Sequence, residues 1–156
     1  AKAAILASGL TGMISGSSVA NTVTTGTFTI PIMKKTGLPA VKAGAIEVAA
    51  SVNGQIMPPI MGAAAFVMAE LLGIPYLTVV THAFLPAVIS YIALFYISHL
   101  EALKLDIKGL PEKDIPPLKE TFLSGIHYLI PIGVLIYLLL VMNWTAASSI
   151  FYSIIS

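Results

Sequence analysis

Residues 16–31 read "GSSVANTVTTGTFTIP": hydroxyls, an amide and two glycines inside a run that carries no charged residue from Ala3 to Met33. The surrounding chain of 156 residues is 57% hydrophobic and 10% charged, with a mean hydropathy of +0.94. Those values lie well outside the soluble globular range. Further charge-free runs cover 48–69, 71–100 and 121–156, and a bilayer core of about 30 Å takes roughly 20 apolar residues of helix. Transmembrane strands would alternate polar and apolar residues in segments of about ten, whereas these runs are longer and apolar on all faces. The composition implies an all-α integral membrane protein. A net charge of +1 leaves no basic footprint for nucleic acid. With no cysteine, disulfides and thiolate metal sites are excluded. The chain starts without Met and stops inside an apolar run, which reads as a fragment of a longer protein; Ala1–Leu10 lacks the cleavage site of a signal peptide.

As one straight helix, the run from Ala3 to Met33 would be about 46 Å long, more than the hydrocarbon core. Gly9, Gly12, Gly16 and Gly26, with Ser15, Ser17, Ser18 and Asn21, place the strongest interruption near its middle, where glycine permits left-handed turns and Ser and Asn compete for backbone partners. The expected structure is a re-entrant hairpin over 1–34, with half-helices 3–15 and 22–34 meeting near the bilayer midplane.

Lysines orient the rest, because cytoplasmic loops collect Lys and Arg. The chain has eight Lys and no Arg. With a hairpin, Lys2, Lys34, Lys35 and Lys42 share one side. A connector and discontinuous helix over 35–76 then cross, 77–100 returns, and the loop 101–120 brings Lys104, Lys108, Lys113 and Lys119 back to that side. A further span over 121–142 and the start of another helix over 143–156 complete the pattern. The lysine side is expected to be cytoplasmic.

A second anomaly, "SVNGQIMPPIMG" at 51–62, interrupts the crossing segment with Gly54 and the Pro58-Pro59 pair. Proline removes a donor, clashes with the preceding turn and turns the residue before it away from helical geometry. This break also falls near the midplane, at the depth of the hairpin tip. Non-helical backbone at that depth is tolerated only inside protein or against a water-filled cavity. Broken helices expose N–H groups at one end and carbonyls at the other, suited to an anion and to a small cation respectively. Ser17, Ser18, Asn21 and Thr22 at the tip, with Asn53, Gly54 and Gln55 at the break, offer neutral oxygens and close approach. Hard cations prefer such donors, and sodium is the expected ion.

Residues 15–76 resemble the large membrane subunit of the tripartite ATP-independent periplasmic (TRAP) transporters, most closely the fused-permease, DctM-like branch. The hairpin motif, Ala-Gly-Ala-Ile-Glu at 43–47 and Gly-Gln-Ile-Met-Pro-Pro at 54–59 occur in order at family-like spacing. Residues 77–156 match in hydropathy alone. The resemblance implies half of an inverted-repeat elevator core in a bacterial or archaeal cytoplasmic (inner) membrane, importing a small carboxylate with sodium. Its implied partners are an extracytoplasmic solute-binding protein and a small membrane subunit, separate or fused; no further cofactor is implied. Carried over, Ser17, Ser18, Asn21, Asn53 and Gly54 would bind sodium, and Thr22, Thr25, Gln55, Pro58 and Pro59 would face the substrate. Where relatives often have Thr-Gly or Gly-Gly before the glutamine, this chain has Val52-Asn53-Gly54.

Other readings compete. Ser, Thr and Gly in membrane helices usually serve close packing, but two polar breaks at one depth favour a site. Glu47 lies inside the span, where hydrogen bonding, pairing with Lys42 and ion coupling are all open; Glu70 is read as interfacial. An intramembrane hydrolase would need His82 or His127 within reach of a hairpin serine, and both histidines read better as bonded packing residues. A non-transporting assembly subunit is the remaining alternative. The loop 101–120, with Pro111, Pro116 and Pro117, reads as a solvated connector, and the sequon at Asn143 as a chance match.

Overall fold

The structure, a computed structural model, describes residues 1–107, 109, 117, 123, 125–142 and 144–155. The chain divides into two compact units, Ala1–Gly109 and Leu110–Ser156. The described part is helical throughout, as the composition requires.

In the first unit, α1 (Lys2–Ser15) and α2 (Ser18–Lys35) form an antiparallel hairpin joined by Gly16 and Ser17 alone. Gly16 ends α1 in a left-handed conformation, φ 64°, and returns its N–H to Gly12 O at 3.0 Å, the geometry glycine adopts without a Cβ penalty. The break expected over 16–21 is therefore narrower. Ser17 caps α2 by accepting from Ala20 N at 3.3 Å, which satisfies one orphan donor and starts the helix at Ser18 rather than at residue 22. Asn21 consequently lies on a regular helix and points inward.

After the turn at 36–39, α3 (Ala40–Ile56) runs parallel to α1 and antiparallel to α2. It stops where the sequence places Pro58 and Pro59, and α4 (Ala63–Leu72) resumes after the interruption at 57–62. α5 (Tyr76–Lys104) then runs back along both pieces. Lys42 pairs with Glu101, Tyr91 Oη donates to Ala50 O at 3.2 Å, and Ser90 Oγ donates to Asn53 Oδ1 at 2.8 Å. Further along, Phe66 stacks on Tyr76 with ring centroids 4.3 Å apart. The last turns of α3, just before the interruption, thus lie beside the middle of the 29-residue α5, while Pro59 and Ile60 within it reach Tyr76 at the start of that helix; α5 is long and apolar enough to cross a membrane. Among the described residues it is the only such helix.

Three layers succeed one another along the hairpin. At its base, beside the lysines, Ile5, Met33, Leu38, Ala43 and Ile46 form the apolar core with Leu94 of α5. A polar layer follows around Glu47. Nearest the tip, α1 and α3 cross with glycine on glycine, where a Cβ on Gly54 would come within 2.8 Å of Gly12 Cα.

In the second unit, a short 3-10 turn at Ile126–Tyr128 leads into α6 (Leu129–Ile136), a wider π turn at Tyr137–Val141 and, after 142–145, α7 (Ala146–Ile155). α7 folds back on α6: Ser153 Oγ donates to Pro131 O at 2.6 Å, and Trp144 meets Tyr152 edge-on at 5.3 Å. The apolar helical stretch Leu129–Leu139 is shorter than the span read over 121–142, of which residues 121, 122 and 124 lie outside the described residues. Lys108, Lys113, Lys119, Pro111, Pro116 and Asn143 also lie outside them.

Candidate functional site

Four helix ends meet at one level. The Gly16 turn joins the C-terminus of α1 to the N-terminus of α2, and the interruption joins the C-terminus of α3 to the N-terminus of α4. The two turns are in contact. A Cβ on Gly16 would sit 2.6 Å from Met61 O, and one on Gly62 would sit 2.9 Å from Gly16 O. Ser18 N donates to Gln55 Oε1 at 3.2 Å, tying the first turn of α2 to the last turn of α3. Helix N-termini carry partial positive charge and C-termini partial negative charge, so this junction offers both poles within one small volume.

Of the residues selected from sequence, Ser17, Ser18, Asn21, Gly54 and Gln55 come together here. Ser17 and Ser18 are half-buried at the tip, and Gly54 packs against Gly12. Pro58 and Pro59 lie within the interruption, joined by a cis peptide bond. Tyr76 Oη donates to Pro59 O at 3.1 Å and also to Ile60 O. Thr22 is half-buried and donates to Ser18 O at 2.8 Å. Asn53 stands apart: its Oδ1 accepts from Ser90 on α5, on another face of α3 from the hairpin.

Asn21 is 1% exposed. Its Nδ2 donates to Ser8 O at 2.9 Å, Ser8 Oγ at 3.0 Å and Ser51 Oγ at 2.9 Å. Its Oδ1 is buried and has no hydrogen-bond partner among the described residues. An unsatisfied buried acceptor costs about 1–3 kcal/mol, and a cation is one natural way to satisfy it.

Below Asn21 lies Glu47, also 1% exposed. Its carboxylate accepts from Ser8 Oγ at 2.7 Å and Thr25 Oγ1 at 2.5 Å on Oε1, and from Thr29 Oγ1 at 2.5 Å on Oε2; Ser51 Oγ stands 3.4 Å from Oε1. A buried carboxylate is tolerated when its oxygens are hydrogen-bonded. Lys42, the partner considered from sequence, pairs with Glu101 instead. Thr25, read as a substrate residue, belongs to this cluster. Ser8, Ser51 and Thr29 escaped the sequence reading, although Asn21, Thr25 and Thr29 recur every four residues, as do Glu47 and Ser51. In an apolar chain such a polar ridge marks one helix face.

On the far side of the interruption, α4 and α5 with the end of α3 border a mainly apolar, partly open cavity of about 630 Å³ lined by Gln55, Met61, Gly62, Met68, His82 and Pro86 among others. His82 is itself exposed and its Nδ1 meets Thr78 O at 2.7 Å, a bond along its own helix. Glu70 is exposed on α4.

The family model for the tripartite ATP-independent periplasmic transporter, DctM component, matches residues 1–156. The chain belongs to the DctM family. It is a membrane transporter component and not an enzyme, which sets the hydrolase reading aside. As a component of a tripartite transporter it associates in general with a solute-binding protein and a small subunit. A search of the curated proteins and one of the solved structures found no match.

Proposed function

We propose that this DctM chain supplies the hairpin and broken helix of a sodium-coupled importer of small carboxylates, loaded by an extracytoplasmic solute-binding protein in a bacterial or archaeal inner membrane and working by an elevator movement. The supporting observation is the meeting of hairpin tip and helix interruption, together with the buried, unpartnered Oδ1 of Asn21 one turn along α2 from Ser18. The carbonyl-rich C-termini of α1 and α3 suit a monovalent cation, and the N-termini of α2 and α4 suit a carboxylate. Ser17, Ser18, Asn21 and the Asn53-Gly54 backbone form the sodium side; Thr22, Gln55 and the Pro58-Pro59 segment form the substrate side. The re-entrant reading draws support from depth. The hairpin arms, of 14 and 18 residues, run well short of the 29-residue α5, while Lys2, Lys34, Lys35, Lys42 and Lys104 gather at one end.

The test is a sodium titration of thermal stability on the intact protein. Asn21→Ala removes one oxygen from a charged ligand set, worth roughly 1.5–3 kcal/mol, and raises the sodium midpoint about ten- to hundredfold. An unchanged midpoint would place the ion elsewhere.

A further inference from the structure

We infer that Glu47 is a positioning residue for the ion site, fixing through Ser8 and Ser51 which end of the Asn21 amide is left without a protein partner and so free for the ion. The inference rests on the sodium reading above and adds a residue that the reading does not use.

A hydroxyl has one proton to give. Ser8 Oγ gives its proton to Glu47 Oε1 at 2.7 Å, and so presents lone pairs to Asn21 Nδ2 at 3.0 Å. Ser51 Oγ has Ser8 Oγ at 3.1 Å and Glu47 Oε1 at 3.4 Å as acceptors. With its proton on either, it too presents a lone pair to Asn21 Nδ2, 2.9 Å away. The third neighbour of Nδ2, Ser8 O, is a carbonyl and accepts by necessity. Every group around that end of the amide is therefore an acceptor, and the –NH2 end must occupy it. The oxygen is left to the other side, buried and without a partner. Two of the three acceptors owe that character to the Glu47 carboxylate. Thr25 and Thr29 hold the carboxylate in turn, each at 2.5 Å. The chain of donors thus runs from the polar layer up to the ion site across three helices, with no direct bond between Glu47 and Asn21.

An apolar replacement releases the two serine protons to turn toward Asn21, and the oriented population of the amide falls. Glu47→Met is expected to raise the sodium midpoint roughly three- to tenfold. Glu47→Gln keeps a carbonyl oxygen for Ser8, while Thr29 has Thr25 O as an alternative acceptor at 3.0 Å. Its midpoint is expected within about threefold of the parent. On an Asn21→Ala background, Glu47→Met is expected to add no further shift, because the group it orients is gone.

Sodium titrations of thermal stability on the intact protein decide the matter, with the sodium-free stability of each variant recorded alongside. A merely structural Glu47 would lower sodium-free stability in Glu47→Met and leave the midpoint unchanged, overturning the inference. Equal shifts in Glu47→Gln and Glu47→Met would overturn it in favour of the carboxylate charge acting directly. Equal shifts with and without Asn21 would overturn it as well. If Glu47→Met does not accumulate, the pair Ser8→Ala and Ser51→Ala removes the same relay and must show the same midpoint change. If Asn21→Ala is too weak to titrate, the two Glu47 variants decide alone. Failure of the sodium reading looks different: Asn21→Ala itself then keeps the parent's midpoint.

Discussion

The two pieces of the broken helix are built in opposite ways. α3 is clasped by both hairpin arms, with Gly54 on Gly12, Ser18 tied to Gln55 and a carboxylate held by hydroxyls from neighbouring helices. α4 meets α5 around the Phe66–Tyr76 stack and borders a cavity of about 630 Å³. Closed, polar and backbone-tight packing on one side of the interruption thus faces open, apolar packing on the other. An ion site needs fixed oxygens, and only the α3 side holds its groups from several directions at once. On the proposed function, the α4 side would keep the space that a substrate or a moving element requires.

Glycines make this contrast testable, since the same residue type occurs on both kinds of surface. The largest effect is expected at the glycine crossing. A Cβ on Gly54 meets Gly12 Cα at 2.8 Å and Gly9 O at 3.0 Å, backbone atoms that yield only if a helix shifts. Gly54→Ala is expected to cost about 3 kcal/mol, at the upper end for overpacking. Gly44, on the same helix, has nothing within 4 Å of its Cβ position, and Gly44→Ala is expected to raise stability by about 0.5 kcal/mol. Thermal unfolding of both variants without sodium provides the measurement. Equal tolerance at the two positions would break the close-packed picture of the α1–α3 contact.

A matched pair comes next. Gly16 and Gly73 both end helices with φ near 64° and 63°, so alanine at either pays the left-handed penalty of about 1–2 kcal/mol. Only Gly16 adds a collision, with Met61 O at 2.6 Å, while Gly73 has nothing within 4 Å. Gly16→Ala is expected to be the worse of the two by about 2 kcal/mol, and to weaken the sodium response as well. Gly73→Ala is expected to leave that response alone. Parallel unfolding and sodium titrations of the two variants check this, and equal losses would detach the tip from the interruption.

The hairpin and the interruption were legible because they answer to local rules: a run too long to cross straight, a glycine at its middle, and Pro58-Pro59 in a helix. The polar layer was not, although each ridge is visible alone. Ser8 on α1, Asn21, Thr25 and Thr29 on α2, and Glu47 and Ser51 on α3 form a cluster only once three helices take one register, and a single sequence carries no statement of that register. The start of α2 was misplaced for a different reason. By composition Ser17 and Ser18 compete with the helix, whereas a serine at the cap begins one.

Asn53 gives the smallest expected effect and the sharpest division between the faces of α3. At 3.6 residues per turn, Gly54 lies about 20° from the direction of Glu47 around the helix axis, whereas Asn53 lies about 120° away. Its Oδ1 is already engaged by Ser90 on α5. Its side chain therefore belongs to the contact with α5, and in the proposed ion site it would contribute only through the backbone shared with Gly54. Asn53→Ala is expected to cost about 1 kcal/mol, the net worth of one hydrogen bond, and to move the sodium midpoint less than about twofold. Ser90→Ala is expected to cost a similar amount, since it strands the same acceptor, and the double variant should lose less than the sum of the two. Unfolding of the three variants, each titrated with sodium, makes the comparison. A midpoint shift in Asn53→Ala as large as that of Asn21→Ala would mean that the side chain leaves Ser90 and turns to the ion.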